Sequence, residues 1–432
     1  MIAMKLNHAR QIRGRLELPG DKSISHRAAL IAALASGASE ITNFSTARDC
    51  ASTVACLREL GISIEQTNDK LIFAGGEKLV TPRRPLDCGN SGSTLRILTG
   101  VLAGHELTAE LIGDESLSSR PMRRIIEPLE LMGAKIESTD GRAPLKVHGR
   151  GKLSPINYKL PVASAQVKSA ILFAGLNATG RTTVIETSPS RDHTERLFNG
   201  FGVPVTTQDD LSVTLDGPAR LSGGAIRIPG DVSSAAYFVA AAMLLPGSDL
   251  MLDRVGLNPT RAAFLDVLRS WGAEISVTDV QNERNEPSGT IHVRGGISRT
   301  AEESERTLRG AIIPAVIDEL PLLAVVGSQI EGGIRIRDAV ELRLKESDRL
   351  ATTANNLRAM GVEVEEFRDG LAVAGPTRLQ GAPVASHSDH RIAMAFSIAA
   401  LLATGDTQIA DSECVAISFP EFYALLDSLA VR

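Results

Sequence analysis

One short pattern recurs along the whole chain and limits the folds that the chain can adopt. An amphipathic helix ends, a glycine follows, and a short alternating strand begins. The glycines are Gly61, Gly133, Gly202, Gly272 and Gly361. They are 72, 69, 70 and 89 residues apart, and Ala430 ends a similar segment 69 residues further on. Glycine stops a helix there because it takes the left-handed conformation without steric cost. The 432 residues therefore divide into six similar repeats of about 70 residues.

A second pattern alternates with the first. A polar turn opens a helix of small apolar residues, and a glycine and a strand follow. The six segments are Ser23–Gly37, Ser91–Gly104, Ser164–Gly180, Ser233–Gly247, Asp318–Gly327 and Asp389–Gly405. Residues 28–35 and 393–402 are apolar on all sides, which is typical of a helix buried on every face. Each repeat is therefore predicted to contain two helices and several short strands.

The two halves of the chain also resemble each other. Residues 16–23 read LELPGDKS and residues 226–233 read IRIPGDVS, with an offset of 210 residues. Pro-Gly-Asp is typical of a turn between a strand and a helix. We expect an α/β protein of two similar lobes with three repeats each. The lobes would be residues 21–229 and residues 1–20 plus 230–432, joined by hinges near Gly20 and Gly230.

Composition excludes several classes of protein. No stretch of 18 consecutive apolar residues occurs, which argues against a membrane-spanning helix. A formal net charge of −5 argues against general nucleic-acid binding. The four cysteines have neither zinc-ligand nor disulfide spacing, and the first residues do not form a signal sequence. We therefore expect a cytoplasmic protein with free thiols, and no metal or cofactor.

Cations open several of the predicted buried helices, although a helix N-terminus favours anions. They are Lys22, Arg27, Arg96, Lys168 and Arg391. Each should destabilise its helix by about 0.3–1 kcal/mol unless an anion lies beside it. Ser, Thr and Gly surround the cations in residues 20–25 and 89–94, as in a backbone cradle for phosphate or carboxylate. The pattern indicates an anion-binding site with residues from both lobes.

Two further charged segments admit two interpretations each. Lys345 and Arg349 are four residues apart and are predicted to share a helix face, where like charges repel by about 0.2–0.5 kcal/mol. Their face is either part of the anion site or a solvated surface that Glu346 and Asp348 compensate. Asp318 precedes an apolar helix, so its carboxylate is an N-cap or an acid–base group, and position alone favours the cap.

Seven motifs in order resemble those of the 5-enolpyruvylshikimate-3-phosphate (EPSP) synthase family, over essentially the full chain. They are residues 18–27 (LPGDKSISHR), 89–96 (GNSGSTLR), 119–121 (SRP), 163–169 (ASAQVKS), 318–319 (DE), 345–349 (KESDR) and 389–391 (DHR). The resemblance implies transfer of the enolpyruvyl group of phosphoenolpyruvate to the 5-hydroxyl of shikimate 3-phosphate, with release of phosphate. It also implies a monomer of two lobes, each with three βαβαββ units around buried helices, an inside-out α/β barrel.

The resemblance further implies roles for single residues. Shikimate 3-phosphate would contact Lys22, Ser23, Arg27, Ser164, Ala165, Gln166, Arg191, Asp318 and Lys345. Phosphoenolpyruvate would contact Lys22, Asn90, Gly92, Arg120, Gln166, Arg349 and Arg391. Asp318 is the expected base on the 5-hydroxyl and Glu346 the expected acid at the methylene carbon, with Lys22 as the alternative proton donor. Because both lobes supply ligands, we expect the lobes to close on the substrates.

Two positions depart from the family pattern, and two rival functions stay open. Ser418 stands where many members have a lysine that contacts phosphoenolpyruvate, and Glu341 stands where others have an asparagine. The first rival is enolpyruvyl transfer to UDP-N-acetylglucosamine; against it, residues 113–119 lack the cysteine usual in that enzyme, and Ser23 replaces its asparagine after Lys22. The second rival is a non-catalytic repeat scaffold that binds anions.

Overall fold

The computed structural model describes residues 4–67, 70–297 and 301–432. The helices within these residues are α1 (Lys22–Leu34), α2 (Arg48–Glu59), α3 (Gly92–Ala103), α4 (Glu115–Ser119), α5 (Arg123–Leu131), α6 (Ala165–Gly175), α7 (His193–Gly200), α8 (Val232–Leu244), α9 (Ala263–Ser270), α10 (Ile312–Val316), α11 (Leu320–Gly327), α12 (Arg349–Ala359), α13 (His390–Leu402) and α14 (Phe422–Leu429). Two short 3-10 helices cover Val340–Leu344 and Ser412–Ile417. No helix in this part of the chain is long and apolar enough to cross a membrane.

Most of the described strands are short. The strands are β1 (Met4–Leu6), β2 (Gln11–Glu17), β3 (Ser39–Thr42), β4 (Ile64–Thr67), β5 (Lys70–Phe73), β6 (Leu86–Asp87), β7 (Thr108–Ile112), β8 (Lys135–Thr139), β9 (Arg142–His148), β10 (Asn157–Lys159), β11 (Gly180–Ile185), β12 (Val205–Thr207), β13 (Ser212–Gly217), β14 (Gly224–Arg227), β15 (Asp249–Gly256), β16 (Ala273–Glu283), β17 (Glu286–Ile297), β18 (Thr307–Leu308), β19 (Ile334–Ile336), β20 (Val364–Phe367), β21 (Gly370–Val373), β22 (Pro383–Val384), β23 (Thr407–Ile409) and β24 (Ala430–Val431). The longest are the two strands of the β16–β17 hairpin, with 11 and 12 residues.

The described strands form six sheets, one for each predicted repeat. Four sheets share one topology, with orders β14-β3-β5-β4, β6-β7-β9-β8, β10-β11-β13-β12 and β18-β19-β21-β20. In each of them the first two strands are parallel and the remaining neighbours are antiparallel. The other two have orders β16-β17-β15-β2-β24 and β1-β23-β22. The predicted α/β repeat architecture is confirmed.

The chain forms two compact units, and three sheets belong to each. The first unit contains Pro19–Pro229 and Asn282–Pro287, and the second contains Met1–Leu18, Gly230–Gln281 and Ser288–Arg432. Strands β1 and β2 complete sheets of the second unit, because β1 pairs with β23 and β2 pairs with β15. The N-terminal residues therefore supply strands to repeats that lie more than 200 residues further along the sequence.

Glycines end five of the helices, as the repeat pattern predicts. Gly61, Gly133, Gly202, Gly272 and Gly361 have φ values of +89°, +103°, +87°, +94° and +90°. The sixth position differs, because Ala430 follows α14 with an extended backbone (φ −76°, ψ 119°) and starts β24 directly. A strand that begins at the next residue does not need a left-handed stop.

Three helices in each unit are buried almost completely, as predicted. In the first unit α3 packs on α6 and α1, and in the second unit α11 packs on α13 and α8. Small residues allow this close packing: a Cβ on Gly100 of α3 would lie 2.1 Å from the carbonyl oxygen of Ala170 in α6. These six helices carry most of the predicted site residues at their N-terminal ends.

The turn between β16 and β17 belongs to the first unit rather than to the unit that contains most of its strands. Nη1 of Arg284 donates a 2.8 Å hydrogen bond to the carbonyl oxygen of Gly200. Cζ of the same guanidinium lies 4.7 Å from the ring centroid of Phe201. Glu286 Oε1 lies 2.8 Å from Nδ1 of His193, and both side chains are buried. The start of α7 is therefore fixed by a residue from a distant part of the sequence.

The helix-stop glycines provide a test of the repeat architecture. We expect Gly361→Ala to lower the free energy of unfolding by about 1–2 kcal/mol, because alanine is strained at positive φ. Space is not the cause, since the nearest atom to the added Cβ would be Cγ of Gln380, 3.9 Å away. Gly37→Ala is the control, because its Cβ would make only an ordinary 3.8 Å contact and φ is not positive. Urea denaturation that gives equal losses for both variants would contradict the prediction.

Candidate active site

The first helix of the first unit begins with a cation that has a carboxylate partner. Asp21 caps α1 by accepting a 2.9 Å hydrogen bond from the amide of Ile24, so Lys22 is the first helical residue. Its Nζ lies 3.0 Å from Oδ2 of Asp49, and both side chains are largely buried. The anion required beside this cation is therefore supplied by the chain itself.

Arg27 lies one turn further along α1 and is 2% exposed. Its guanidinium donates to the carbonyl oxygen of Ser23 (2.8 Å), to Oγ1 of Thr194 (2.7 Å) and to Oγ of Ser169 (2.8 Å). Arg191 Nη1 also reaches Oγ of Ser23, at 3.5 Å. The structure thus brings together Ser23, Arg27 and Arg191, which are predicted to contact the same substrate.

The start of α3 is linked to Arg120. Ser91 caps the helix, and Asn90, which precedes the cap, accepts a 2.8 Å hydrogen bond from Nη2 of Arg120. A Cβ on Gly92 would lie 2.6 Å from Nη1 of Arg96 and 3.5 Å from Nη1 of Arg120. Any side chain at position 92 would therefore occupy the space next to both guanidinium groups.

The starts of α3 and α6 are joined by one glutamine. Gln166 accepts a 2.6 Å hydrogen bond from Nη1 of Arg96 and donates a 2.9 Å hydrogen bond to Oγ of Ser93. Ser164 caps α6, and Ala165 is the first residue of that helix. The structure therefore links Gln166 to the start of α3, and Ser164 and Ala165 lie beside Gln166 at the start of α6.

In the second unit three cations surround the carboxylate of Asp318. Oδ1 lies 3.4 Å from Nη1 of Arg349 and 3.7 Å from Nζ of Lys345, and Oδ2 lies 3.5 Å from Nη2 of Arg391. Arg349 Nη2 also donates a 2.6 Å hydrogen bond to Glu346. All five predicted site residues of this unit therefore converge on one place.

A buried ion pair holds this cluster. Arg349 Nε lies 2.8 Å from Oδ2 of Asp389, and the two side chains are 1% and 0% exposed. Burial acts to raise the pKa of Asp389, but the charge and hydrogen bond of Arg349, together with His390, outweigh it, so the pKa of the carboxyl is lowered. Asp389 also caps α13 through the amide of Arg391, at 3.0 Å. One carboxylate thus contacts both the guanidinium of Arg349 and the backbone amide of Arg391.

Two interpretations of the sequence are wrong for this cluster. Lys345 and Arg349 do not share a helix face, because Lys345 has an extended backbone after a 3-10 helix and Arg349 begins α12. Asp318 is not an N-cap either. Glu319 occupies the cap position of α11 and makes no side-chain capping bond. The carboxylate of Asp318 instead contacts the three cations.

Sequence reasoning missed the carboxylates that hold the cations. Asp49 lies outside all seven motifs. Asp389 lies in the DHR motif, but only Arg391 of that motif was predicted to bind substrate. Glu319 is also near the cluster, with Oε1 3.5 Å from Nη1 of Arg391. The one available signal was the need for anions beside buried cations, which predicts that partners exist but not which residues they are.

The two positions that depart from the family pattern lie in the second unit. Glu341 is in the 3-10 helix Val340–Leu344, which precedes Lys345. Ser418 follows the second 3-10 helix, and its Oγ is buried and has no hydrogen-bond partner within the described residues. Neither position supplies a positive charge.

Comparison with known proteins gives one consistent family. A family model described as EPSP synthase (3-phosphoshikimate 1-carboxyvinyltransferase) matches residues 6–426. The 3-phosphoshikimate 1-carboxyvinyltransferase of Koribacter versatilis (strain Ellin345) is 49% identical over 434 residues, which cover 100% of both chains. That of Geobacillus kaustophilus (strain HTA426) is 47% identical, over 97% of this chain and 98% of its own.

The structure is similar to that of a solved EPSP synthase from Acinetobacter baumannii. The TM-score is 0.87 at 38% sequence identity, over 99% of this chain and 98% of the other. Fold and sequence together define an enzyme of the carboxyvinyltransferase class. Within that class the chain belongs to the EPSP synthase family. The family and the two-lobe α/β fold predicted from the sequence are confirmed.

The buried arginine of the second unit gives a testable prediction. We expect Arg349→Met to lower the free energy of unfolding by about 3–5 kcal/mol, because it leaves Asp389 buried without its main partner. Arg294→Met is the control: its 2.8 Å pair with Glu274 is more than half exposed, so the loss should stay below about 1 kcal/mol. Similar losses for both variants in urea denaturation would show that the Arg349–Asp389 pair does not stabilise the unit.

Proposed function

We propose that two sets of residues, one in each unit, carry out the reaction of this family on the same pair of substrates. The chain transfers the enolpyruvyl group of phosphoenolpyruvate to the 5-hydroxyl of shikimate 3-phosphate, in the shikimate pathway. Three cations within 4 Å of the single carboxylate of Asp318 carry the proposal. A base surrounded by groups that bind anions is the arrangement that this reaction requires, since both substrates are polyanions.

The reaction proceeds by addition and then elimination. In the addition, the oxygen of the 5-hydroxyl bonds to C2 of phosphoenolpyruvate, its proton passes to a base, and a proton is added to C3. In the elimination, the C2–O bond to phosphate breaks, C3 loses a proton, and inorganic phosphate leaves. The enzyme therefore needs one group that takes a proton from oxygen and another that gives and later removes a proton at carbon.

Asp318 is the proposed base on the 5-hydroxyl. Before substrate binds, its oxygens interact with Lys345, Arg349 and Arg391. When the carboxylate and phosphate of phosphoenolpyruvate bind the two arginines, these cations divide their interactions between substrate and Asp318. The carboxylate then becomes a better proton acceptor, because the charges that held it are shared with the ligand.

Glu346 is the proposed acid at the methylene carbon. Its carboxyl lies 2.6 Å from Arg349 and one residue from Lys345, so it is next to the residues proposed to hold both substrates. Lys22 of the first unit is the alternative donor, and its ammonium would also stabilise charge that develops on the reacting oxygens. In either case, two groups in different environments perform the two proton transfers.

The remaining predicted residues would bind and orient the substrates. Shikimate 3-phosphate would contact Lys22, Ser23, Arg27, Ser164, Ala165, Gln166, Arg191, Asp318 and Lys345. Phosphoenolpyruvate would contact Lys22, Asn90, Gly92, Arg120, Gln166, Arg349 and Arg391. The capped starts of α1, α3 and α6 support this assignment, since backbone amides and the helix dipole favour phosphate. Planar guanidinium groups bind carboxylate and phosphate through two parallel hydrogen bonds.

Three further features belong to the proposal. The functional lobes are residues 21–229 and residues 1–20 plus 230–432, with hinges near Gly20 and Gly230. The proposed active form is a monomer, which is the expectation for the family and fits the presence of both residue sets in one chain. The enzyme works in the cytoplasm, which fits the four unpaired cysteines.

Phosphate release measures the activity and separates it from both rivals. The purified chain is incubated with phosphoenolpyruvate and either shikimate 3-phosphate or UDP-N-acetylglucosamine. We expect phosphate only with shikimate 3-phosphate. Release only with the nucleotide sugar would favour the first rival, and release with neither would favour the anion-binding scaffold.

Substitution of the two carboxylates tests their roles. We expect Asp318→Asn and Glu346→Gln each to lower kcat by about 100-fold to 10,000-fold, the usual contribution of a positioned acid or base. Binding of shikimate 3-phosphate, measured by calorimetry, should persist in Glu346→Gln. Asp427→Asn is the matched control, because Asp427 is an exposed carboxylate paired with Arg432. A kcat close to that of the unchanged chain would remove the role from the residue concerned.

A further inference from the structure

Lys168 is a buried cation of the first unit that has no role in the proposed function. The residue lies in α6, one turn after the Ser164 cap, and its side chain is 1% exposed. Its position near a helix start suggested a ligand for an external anion. Instead, its Nζ lies 2.7 Å from Oε2 of Glu186 and 2.6 Å from Oε1 of Glu195, and these carboxylates are also buried.

The two carboxylates stand at the two ends of one loop. Glu186 directly follows β11, and Glu195 lies in the first turn of α7. The segment between them contains Arg191, which is proposed to bind the phosphate of shikimate 3-phosphate. A single ammonium group therefore holds both ends of the segment that carries this arginine.

A second contact connects this ion cluster to Ser190, the residue before Arg191. The hydroxyl of Ser190 donates a short hydrogen bond to Oε1 of Glu186, the carboxylate whose other oxygen contacts Lys168. The chain of contacts thus runs from Lys168 through Glu186 and Ser190 to the backbone next to Arg191. The same ammonium is fixed to α6, which begins with Ser164 and Ala165.

The charges are not balanced within this cluster. Two buried carboxylates share one ammonium, and Oε2 of Glu195 has no hydrogen-bond partner within the described residues. Burial raises the pKa of Glu195 although Lys168 opposes the change. Such an arrangement is a weak source of stability, because desolvation offsets much of the attraction between buried charges. A role in positioning accounts for it better than a role in folding.

We propose that Lys168, through Glu186 and Glu195, is a positioning residue that holds the Arg191 loop at a fixed distance from the start of α6. The inference rests on the proposed function, because it takes Arg191, Ser164 and Ala165 as ligands of shikimate 3-phosphate. Lys168 itself touches no substrate. Its effect is to keep the guanidinium where the phosphate arrives, so that the loop need not be ordered at each binding event.

Steady-state kinetics with the full chain test the inference. Lys168→Met removes the ammonium but leaves two uncompensated carboxylates, so the decisive variant is the neutral triple change Lys168→Met, Glu186→Gln and Glu195→Gln. We expect the triple variant to raise KM for shikimate 3-phosphate by about ten-fold or more, which corresponds to the loss of one charge-assisted hydrogen bond. KM for phosphoenolpyruvate and kcat should each change by less than about three-fold. The reason is that the lost contact binds shikimate 3-phosphate equally well in the ground state and in the transition state.

Two further variants complete the design. Ser190→Ala keeps the ion cluster and removes only the link to the loop, so it should raise KM for shikimate 3-phosphate in the same direction without threatening the fold. Leu145→Ala removes a buried side chain of β9 that belongs to another sheet, and it controls for stability. It should lower the melting temperature and leave KM for shikimate 3-phosphate unchanged.

Arg191→Met separates this inference from the proposed function. If Arg191→Met leaves KM for shikimate 3-phosphate unchanged, Arg191 is not a ligand, and the assignment fails together with the inference. If Arg191→Met raises that KM while the triple variant and Ser190→Ala do not, only the inference is overturned. Should the triple variant fail to fold, Ser190→Ala decides alone, and an unchanged KM for that variant overturns the inference.

Discussion

Buried ion pairs between cations near helix starts and carboxylates of the same unit are the interaction on which the structure depends. Small apolar helices leave little room for water, and an unpaired charge there would destabilise the fold by several kcal/mol. Lys22 with Asp49 and Arg349 with Asp389 show how the chain meets this constraint. The same pairing keeps cations available at helix N-termini, where an anionic substrate can bind.

The architecture was predictable because its signals are local. Helix-stop glycines and helices apolar on every face recur in the sequence, and each reports a backbone conformation or a degree of burial. The partners of the strands were less accessible. Strand β14 completes the sheet of β3, and β1 pairs with β23. Such pairings depend on contacts between distant residues, which no periodicity encodes, and the placement of the β16–β17 turn in the first unit is of the same kind.

In the candidate active site, too, the sequence predicted which residues take part but not how they pair. Motifs identified Asp318, Lys345, Arg349 and Arg391, and the structure brings them together. The predicted geometry was partly wrong, because Lys345 has an extended backbone after a 3-10 helix and α12 begins only at Arg349. The partner carboxylates were missed because an ion pair between residues such as Lys22 and Asp49 is decided by tertiary packing. Charge at a helix start thus predicts that a partner exists, and only the fold identifies it.

A crystal structure of the chain with shikimate 3-phosphate tests the central claim most directly. The claim is that cations held by internal carboxylates in both units receive one pair of polyanionic substrates. We expect the phosphate to contact Ser164 and Arg191, and the 5-hydroxyl to lie within hydrogen-bond distance of Asp318. A ligand bound by other residues, with Lys22, Arg191 and Asp318 all remote from it, would contradict the account.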